Sequence, residues 1–181
     1  MTPLDDAARP GAAAPGIGTV AARAPRTLDR AGIAARIPHE GRMALLDALI
    51  GWSADAIDCT AVGQGDPAHP LRTAGGLLAP CAIEIAAQAM ALHGALVAEA
   101  AADAAAPFTP SPGFLASVRG VRMAVARLDD VLGPLRVRAE RLAGDARQVM
   151  YRFEVADDAG RRLVDGRATV VLNTPLAGAA S

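Results

Sequence analysis

Residues 77–100, LLAPCAIEIAAQAMALHGALVAEA, decide the fold of this chain. Pro80 lies where the first turn of a helix accepts proline, and small or aliphatic residues follow it on every side. Glu84, Gln88 and His93 interrupt the apolar run, which argues against a membrane span. A helix that is apolar all round is buried. The segment therefore predicts one long core helix that is covered on all sides.

Segments of alternating apolar and polar residues lie on both sides of that helix. Thr27 is expected to cap a short helix near 28–35, which Pro38 ends. Six strands follow from the alternation and from turn signals such as Asp157-Asp158-Ala159-Gly160, at 43–52, 56–62, 114–128, 135–142, 148–155 and 162–172. Two strands before the helix and four after it predict an α+β fold, with an antiparallel sheet wrapped around the helix.

Composition predicts one folded domain. The chain has 181 residues, of which 52% are hydrophobic and 20% charged, enough apolar surface for a single core. We assign residues 1–25 to a flexible leader, 26–173 to the domain and 174–181 to a flexible tail. A net charge of −1 and few aromatic residues disfavour binding to nucleic acid.

The basic and sulfur-containing residues exclude several kinds of chemistry. All 18 basic side chains are arginines, so lysine in a phosphate loop or a Schiff base is excluded. Cys59 and Cys81 have no C-x-x-C spacing, which disfavours a disulfide framework and a structural metal site. Asp5 and Asp6 stand where a signal peptide requires positive charge. We expect a cytoplasmic protein without a bound metal.

Glu84 is the most informative residue of the helix. A carboxylate in so apolar a segment costs several kcal/mol unless it is paired or protonated. Gln88 lies four residues on, on the same helix face, and is placed to form a hydrogen bond with it. Burial favours the protonated form of a carboxyl group, as a general acid requires. A structural carboxyl group satisfied by Gln88 or by a backbone amide is the alternative, and both remain open.

The three histidines differ in their relation to Glu84. His69 precedes the helix in a loop, where its imidazole could lie against a substrate carbonyl that faces the helix amides, or simply face solvent. His39 is expected to pin the turn into the first strand. His93 lies more than two helical turns beyond Glu84, which predicts a core or subunit-contact residue.

Four motifs in order resemble those of a known family. They are PHEGRMALLD at 38–47, His69-Pro70, IEIAAQA at 83–89 and GRATVVL at 166–172. Together they resemble hotdog-fold 3-hydroxyacyl-(acyl carrier protein) dehydratases, and most of all the dehydratase-like component of aryl polyene biosynthesis clusters. The likeness runs from Ile33 to Asn173 and implies the hotdog fold.

The resemblance also implies a reaction. In that family, a histidine and a helix carboxyl group from opposite subunits flank a 3-hydroxyacyl thioester and dehydrate it to the trans-2-enoyl thioester. Carried over, His69 takes the α-proton and Glu84 helps to expel water. Gln88 orients Glu84, and backbone amides near Ala82 hold the thioester oxygen. The substrate arrives on the phosphopantetheine of an acyl carrier protein, so no metal or other cofactor is implied.

Two other functions remain open at this stage. The first alternative is a non-catalytic hotdog subunit that stabilises a paralogous dehydratase, with Glu84 as a buried structural group. A hotdog acyl thioesterase would use the same carboxylate to activate water. The subunits would form a homodimer or a heterodimer with a related hotdog subunit, and the long strand through Phe114 could pair them at a sheet edge.

Overall fold

A computed structural model describes residues 26–102, 113–145 and 147–172. The leader assigned to 1–25 and the tail assigned to 174–181 lie outside the described residues. The elements in chain order are β1 (Leu28–Asp29), α1 (Arg30–Ala34), a 3₁₀ helix (Gly41–Met43), β2 (Leu46–Trp52), β3 (Ala56–Ala61), α2 (Cys81–Ala101), β4 (Gly113–Met123), β5 (Leu135–Gly144), β6 (Gln148–Ala156) and β7 (Arg162–Leu172).

The strands form one antiparallel sheet in the order β1-β2-β3-β5-β6-β7-β4. This confirms the predicted α+β fold with one long helix. The predicted number of six strands is wrong, because the described part of the chain forms seven. The additional strand is β1, whose Leu28 and Asp29 pair with Leu49 and Ala48 of β2.

The first helix begins later than predicted, because the two residues before it form β1. Leu28 and Asp29 are extended, so α1 begins only at Arg30. Asp29, rather than Thr27, caps it: the Asp29 carboxylate accepts a hydrogen bond of 2.8 Å from the amide of Gly32. Aspartate is among the most favourable residues at this position, because its oxygen satisfies an amide that the helix leaves free.

The inward side chains of the central strands build the core. In β6, Val149, Tyr151, Phe153 and Val155 are buried and alternate with Gln148, Met150, Arg152 and Glu154, as the sequence pattern predicts. The buried set packs toward α2 as part of one hydrophobic cluster. Each large side chain that is fully buried contributes about 1.5–3 kcal/mol.

Helix α2 is buried on one side and partly open on the other. Its buried side includes Ile85, Met90 and Leu96. The residues left partly or fully exposed along the opposite side include Ile83, Glu84, Ala87, Ala91, Gly94 and Ala98. The prediction that the helix is covered all round is therefore wrong for the described chain, because a single sheet covers only one side of a helix.

The same helix is long and apolar enough to cross a membrane, judged by length and composition alone. Of its most apolar window, 56% is buried inside the protein. The core helix of a sheet protein meets the same criterion, so this property alone assigns no membrane span.

The entry to α2 is fixed by contacts with the chain that follows β4. The amide of Ala79 donates to Ala126 O, and the amide of Leu128 donates to Leu77 O. Arg127 forms two hydrogen bonds, of 3.0 and 2.6 Å, with the carboxylate of Asp129. These bonds hold the start of the helix, and with it the first turn that carries Glu84.

Candidate active site

Glu84 lies in the first turn of α2, on the side that faces away from the sheet. Its side chain is 35% exposed. The expectation of a fully buried carboxyl group is therefore wrong, because the sheet does not reach this side of the helix. The partial exposure leaves the group accessible to a substrate.

Gln88 holds Glu84 in place. The Gln88 side-chain amide donates a hydrogen bond of 3.0 Å to Glu84 Oε1, so the predicted contact between residues four apart is present. The same amide nitrogen donates to Met43 O at 2.8 Å, and its oxygen accepts from the amide of Leu45 at 2.9 Å. These two backbone partners fix which end of the amide is the nitrogen. Gln88 is fully buried and ties the segment before β2 to α2.

His39 is the histidine that contacts Glu84. Its Nε2 lies 3.1 Å from Glu84 Oε1, and its side chain is 25% exposed. Its Nδ1 is buried and forms no hydrogen bond with the described residues. The imidazole and the carboxyl group thus meet within a single chain, and both are partly exposed.

The three side chains form one arrangement, which we call the Glu84 cluster: His39, Glu84 and Gln88. Both contacts with the carboxyl group are made by Oε1. Oε2 forms no hydrogen bond with the described residues, so its hydrogen-bonding capacity is unused there. A carboxyl group beside an imidazole is a pair that can give one proton and take another.

His69 occupies a separate position. It lines a surface cavity of about 140 Å³ together with Arg30, Arg42 and Asp66. Its Nδ1 accepts a hydrogen bond of 3.2 Å from the amide of Leu71. Burial, as the largest cause, lowers the pKa of His69 below 6.5, and the neighbouring Arg42 acts in the same direction.

No contact joins His69 to Glu84 within the part of the chain that the structure describes. The resemblance implies a pairing of these two residues across two subunits, and that pairing stays a prediction.

Ala82 was predicted to lie near amides that hold a thioester oxygen. It is fully buried, and its own amide donates to Ala79 O at 3.0 Å. The neighbouring amides of Cys81 and Ile83 donate to Leu78 O and Pro80 O. A thioester oxygen would therefore have to compete with these carbonyl groups, and its binding at Ala82 stays a prediction.

His93 is a core residue, as one of the two sequence interpretations held. It is fully buried, and its Nε2 donates to Ser53 O at 2.9 Å. Because a carbonyl oxygen only accepts, Nδ1 is left to accept from the hydroxyl group of Tyr151, at 2.9 Å. Burial lowers the pKa of His93.

His39 is the site residue that sequence reasoning missed. It lies 45 residues before Glu84 in the chain, and no local spacing connects the two. The available signal was its place in the PHEGRMALLD motif, because that motif also contains Met43 and Leu45, the backbone partners of Gln88.

Neither metal-binding residues nor paired cysteines accompany the Glu84 cluster. The described ranges contain no group of three or more histidine, cysteine or acidic residues that could hold a metal ion. Cys59 and Cys81 are both free. Burial raises the pKa of the Cys59 thiol to about 12, and the nearby Asp58 adds to this effect.

Comparison with solved structures identifies the fold. The chain is similar to a chain of the dehydratase heterocomplex ApeI:P from Xenorhabdus doucetiae, with 26% identity, a TM-score of 0.66 and coverage of 78% of this chain and 91% of that one. A thioesterase from Haemophilus influenzae matches with 12% identity, a TM-score of 0.52 and coverage of 75% and 82%. At 12% identity, the second likeness shows the hotdog fold alone.

Two further comparisons concern the family of this chain, and one of them gives a match. No curated protein matches this chain. The model of the ApeP-like family, described as ApeP dehydratase, matches residues 31–179, a span that includes His39, Glu84 and Gln88. The chain has the hotdog fold and belongs to the ApeP-like dehydratase family.

Proposed function

We propose that this chain dehydrates a 3-hydroxyacyl thioester to a trans-2-enoyl thioester, with Glu84 and His39 as its acid–base pair. The observation that carries the proposal is the 3.1 Å contact between His39 Nε2 and Glu84 Oε1, two side chains that are both partly exposed. Loss of water from such a substrate requires a base for the α-proton and an acid for the leaving hydroxyl group. The Glu84 cluster has one group for each task.

The proposed reaction requires a neutral imidazole at His39 and a protonated carboxyl group at Glu84. His39 takes the proton from the α-carbon, and the electron pair of that bond forms the new C=C bond. The bond between the β-carbon and the hydroxyl oxygen breaks, and Glu84 gives its proton to this oxygen as water leaves. His39 is then an imidazolium and Glu84 a carboxylate.

The short distance between His39 and Glu84 allows their starting protonation states to be restored after each turnover. A proton that passes from His39 Nε2 to the Glu84 carboxylate makes the imidazole neutral and the carboxyl group protonated again, and the 3.1 Å between Nε2 and Oε1 is short enough for this transfer. Gln88 keeps Glu84 within reach, since it donates to the same oxygen. Gln88 is therefore a positioning residue rather than a catalytic one.

The substrate is proposed to arrive on the phosphopantetheine arm of an acyl carrier protein, in aryl-polyene-type biosynthesis. Membership of the ApeP-like dehydratase family supports this assignment. A related hotdog subunit is the proposed partner, supported by the similarity to a chain of a dehydratase heterocomplex. The chemistry described above uses only side chains and needs no further cofactor. A cytoplasmic location fits a substrate carried by a protein.

The test is turnover of a 3-hydroxyacyl-carrier substrate by the complex of this chain with its partner subunit. Glu84→Gln and His39→Gln should each lower kcat by about 100-fold or more, since general acid–base groups contribute roughly that much. Glu40→Gln is the matched control, because Glu40 is an exposed glutamate next to His39. An unchanged rate in Glu84→Gln would end the proposal.

A His69→Gln variant separates the two candidate histidines. If His39 is the base, His69→Gln keeps most of the rate, whereas a base supplied by His69 predicts the reverse result. Release of free thiol from acyl-CoA would support the thioesterase alternative. Full activity of the complex with Glu84→Gln would support a non-catalytic partner subunit.

A further inference from the structure

The surface cavity beside His69 is bordered by two arginine side chains. It measures about 140 Å³, and Arg30, Arg42 and Asp66 supply the charged groups of its lining. Pockets for drug-sized ligands measure about 300 Å³ or more. The cavity therefore accommodates one small group, and two cations against one anion favour a group with negative charge.

Arg30 is fixed at one nitrogen and keeps the others for a ligand. Its Nη1 donates a hydrogen bond of 2.9 Å to Ala44 O. Its Nη2 lies 3.9 Å from Asp47 Oδ1, which is too far for a hydrogen bond. Nε and Nη2 thus form no hydrogen bond with the described residues. A guanidinium group can present two such donors to one phosphate group.

Arg42 is paired only weakly. Its Nη2 lies 3.5 Å from Asp66 Oδ2, and the two side chains are 60% and 52% exposed. An ion pair of this kind contributes little to stability. Asp66 has a second partner, because its Oδ1 accepts a hydrogen bond of 2.8 Å from the amide of Ala68. Arg42 can therefore turn to a ligand without leaving the Asp66 carboxylate unsatisfied.

His69 adds a neutral hydrogen-bond donor. Because its Nδ1 accepts from the amide of Leu71, the proton of the neutral ring lies on Nε2. The pKa of His69 lies below 6.5, mainly because of burial, so the ring is neutral at pH 7. Nε2 forms no hydrogen bond with the described residues, and its N–H remains available to an anion.

The cavity and the Glu84 cluster share one segment of the chain. Ala44 and Leu45 line the cavity, and the amide of Leu45 also donates to Gln88. Arg42 lies three residues after His39, so the Cα atoms of the two residues are at most about 11 Å apart. A long ligand with its reactive end at His39 can therefore place an anionic group at Arg42.

We infer that Arg30 and Arg42 bind the phosphate group of the phosphopantetheine arm that carries the substrate. The inference rests on the proposed function, in which a thioester on this arm is dehydrated at the Glu84 cluster. On a carrier protein this phosphate is a diester with a single negative charge, which matches the excess of one cation in the cavity lining. The site would distinguish a phosphopantetheine thioester from the same thioester on pantetheine.

NMR titrations measure binding directly, with the full chain in complex with its partner subunit. The probes are phosphopantetheine, pantetheine and inorganic phosphate. Phosphopantetheine should bind at least about tenfold more tightly than either of the others, since it alone combines the arm with the phosphate group. Equal Kd values for phosphopantetheine and pantetheine would overturn the inference. Inorganic phosphate bound as tightly as phosphopantetheine would also overturn it, because the site would then bind an anion without the arm.

Neutral variants test the two arginines. Arg30→Gln and Arg42→Gln should each raise the Kd of phosphopantetheine about three- to fivefold, because partly exposed charge pairs are individually weak, and the double variant should raise it about tenfold or more. The Kd of pantetheine should stay the same. Arg136→Gln is the matched control, since Arg136 is an exposed, ion-paired arginine that does not line the cavity. Equal losses in Arg42→Gln and Arg136→Gln would refute the role of Arg42.

Asp66→Asn should change binding in the opposite direction. The asparagine oxygen can still accept from the amide of Ala68, but the side chain no longer attracts Arg42 or repels a phosphate group. The Kd of phosphopantetheine should therefore fall about two- to threefold. An unchanged or higher Kd would contradict the assignment.

Kinetics give a second readout. With a 3-hydroxyacyl thioester of phosphopantetheine, Arg42→Gln should raise KM by about the same factor as Kd with little change in kcat, because the phosphate group is remote from the reacting atoms. The pantetheine thioester should show no such rise. Turnover without this difference would refute the phosphate site and leave the proposed reaction standing. Phosphate-dependent binding without turnover would refute the reaction and leave the site.

Discussion

At the scale of single residues, Gln88 connects the parts of the Glu84 cluster. It is fully buried, yet its amide has partners for its oxygen and for both hydrogens. A buried amide that is satisfied in this way is rigid, because every change of its rotamer leaves a polar group unpaired. It thereby fixes both the carboxyl group and the segment that carries His39.

Replacement of Gln88 should affect both stability and rate. Gln88→Met leaves the amide of Leu45 and the carbonyl of Met43 without their partner, and should lower the free energy of unfolding by about 2–4 kcal/mol. It should also lower kcat with little change in KM, because Glu84 loses its orientation. Urea unfolding and steady-state kinetics on the carrier-bound substrate measure the two effects.

Gln64→Met is the control for stability alone. Gln64 is also buried, and its amide donates to Val131 O and Gly133 O, outside the cluster. It should destabilise the protein without changing kcat beyond what partial unfolding explains. An equal fall of kcat in both variants would show that Gln88 is only structural.

The residue scale also shows what sequence alone could provide. The contact between Glu84 and Gln88 followed from helix periodicity, since residues four apart share a face. The contact with His39 did not, because it depends on how the chain folds back across α2. The exposure of Glu84 is not predictable from the sequence for a related reason: composition shows that a helix is apolar, but not which side the sheet covers.

At the scale of elements, His93 joins α2 to the rest of the sheet. Its two hydrogen bonds reach Tyr151 in β6 and Ser53 in the turn between β2 and β3. Burial is the main reason that the pKa of His93 lies below its ordinary value of about 6.5. The hydrogen bond with Ser53 and the charge of Asp55 oppose this shift, and the charge of Arg141 adds to it. The folded protein thus favours neutral His93.

This pKa predicts how stability depends on pH. The unfolded chain binds a proton near pH 6.5, whereas folded His93 resists it, so stability is present above that pH and is lost as pH falls below it. The slope contributed by His93 should approach about 1.4 kcal/mol per pH unit at most. His93→Gln should flatten the curve from urea unfolding between about pH 5 and 7. Parallel curves for the two proteins would contradict this.

The loop that leads into α2 depends on a glycine. Gly76 has a φ of +97°, and a Cβ there would lie 2.7 Å from Arg127 Cζ and 2.8 Å from Asp129 Oδ2. Gly76→Ala should therefore cost about 1–3 kcal/mol of unfolding free energy, from backbone strain and displacement of the Arg127–Asp129 pair. Gly65→Ala, where a Cβ meets nothing within 4 Å, should change stability far less in the same thermal or urea assay.

Element boundaries were predictable where a pattern is local. The strand predicted at 162–172 occurs as Arg162–Leu172, because its alternation and the preceding hairpin define it. The strand predicted at 114–128 ends instead at Met123. The residues after it bond to the loop before α2, as in Ala79 N to Ala126 O, and such long-range pairing leaves no periodic signal.

At the scale of the whole molecule, the ion pairs differ in how exposed they are to water. The pair between the two helices is much less exposed than the pairs on the surface of the sheet. Arg36 forms two hydrogen bonds with Glu99, at 2.8 and 3.1 Å, and their side chains are only 22% and 21% exposed. This pair joins the end of α1 to the last turns of α2. Arg136 and Asp158, by contrast, are 61% and 57% exposed.

Removal of the two arginines should therefore have unequal effects. Arg36→Gln should lower the free energy of unfolding by about 1–3 kcal/mol, since a half-buried bidentate pair is lost and Glu99 remains uncompensated. Arg136→Gln should stay within about 0.5 kcal/mol, because exposed pairs are screened by water. Equal losses in urea unfolding would show that the Arg36–Glu99 pair contributes no more than a surface contact.

The two edge strands of the sheet differ in length in the described chain, and this difference determines which edge can accept another strand. At one end lies β4 with 11 residues, and at the other β1 with only two. Two residues provide too few backbone groups to hold a further chain by strand addition. For the described residues, strand addition at the β1 edge is therefore disfavoured, which opposes growth through both edges into a fibre.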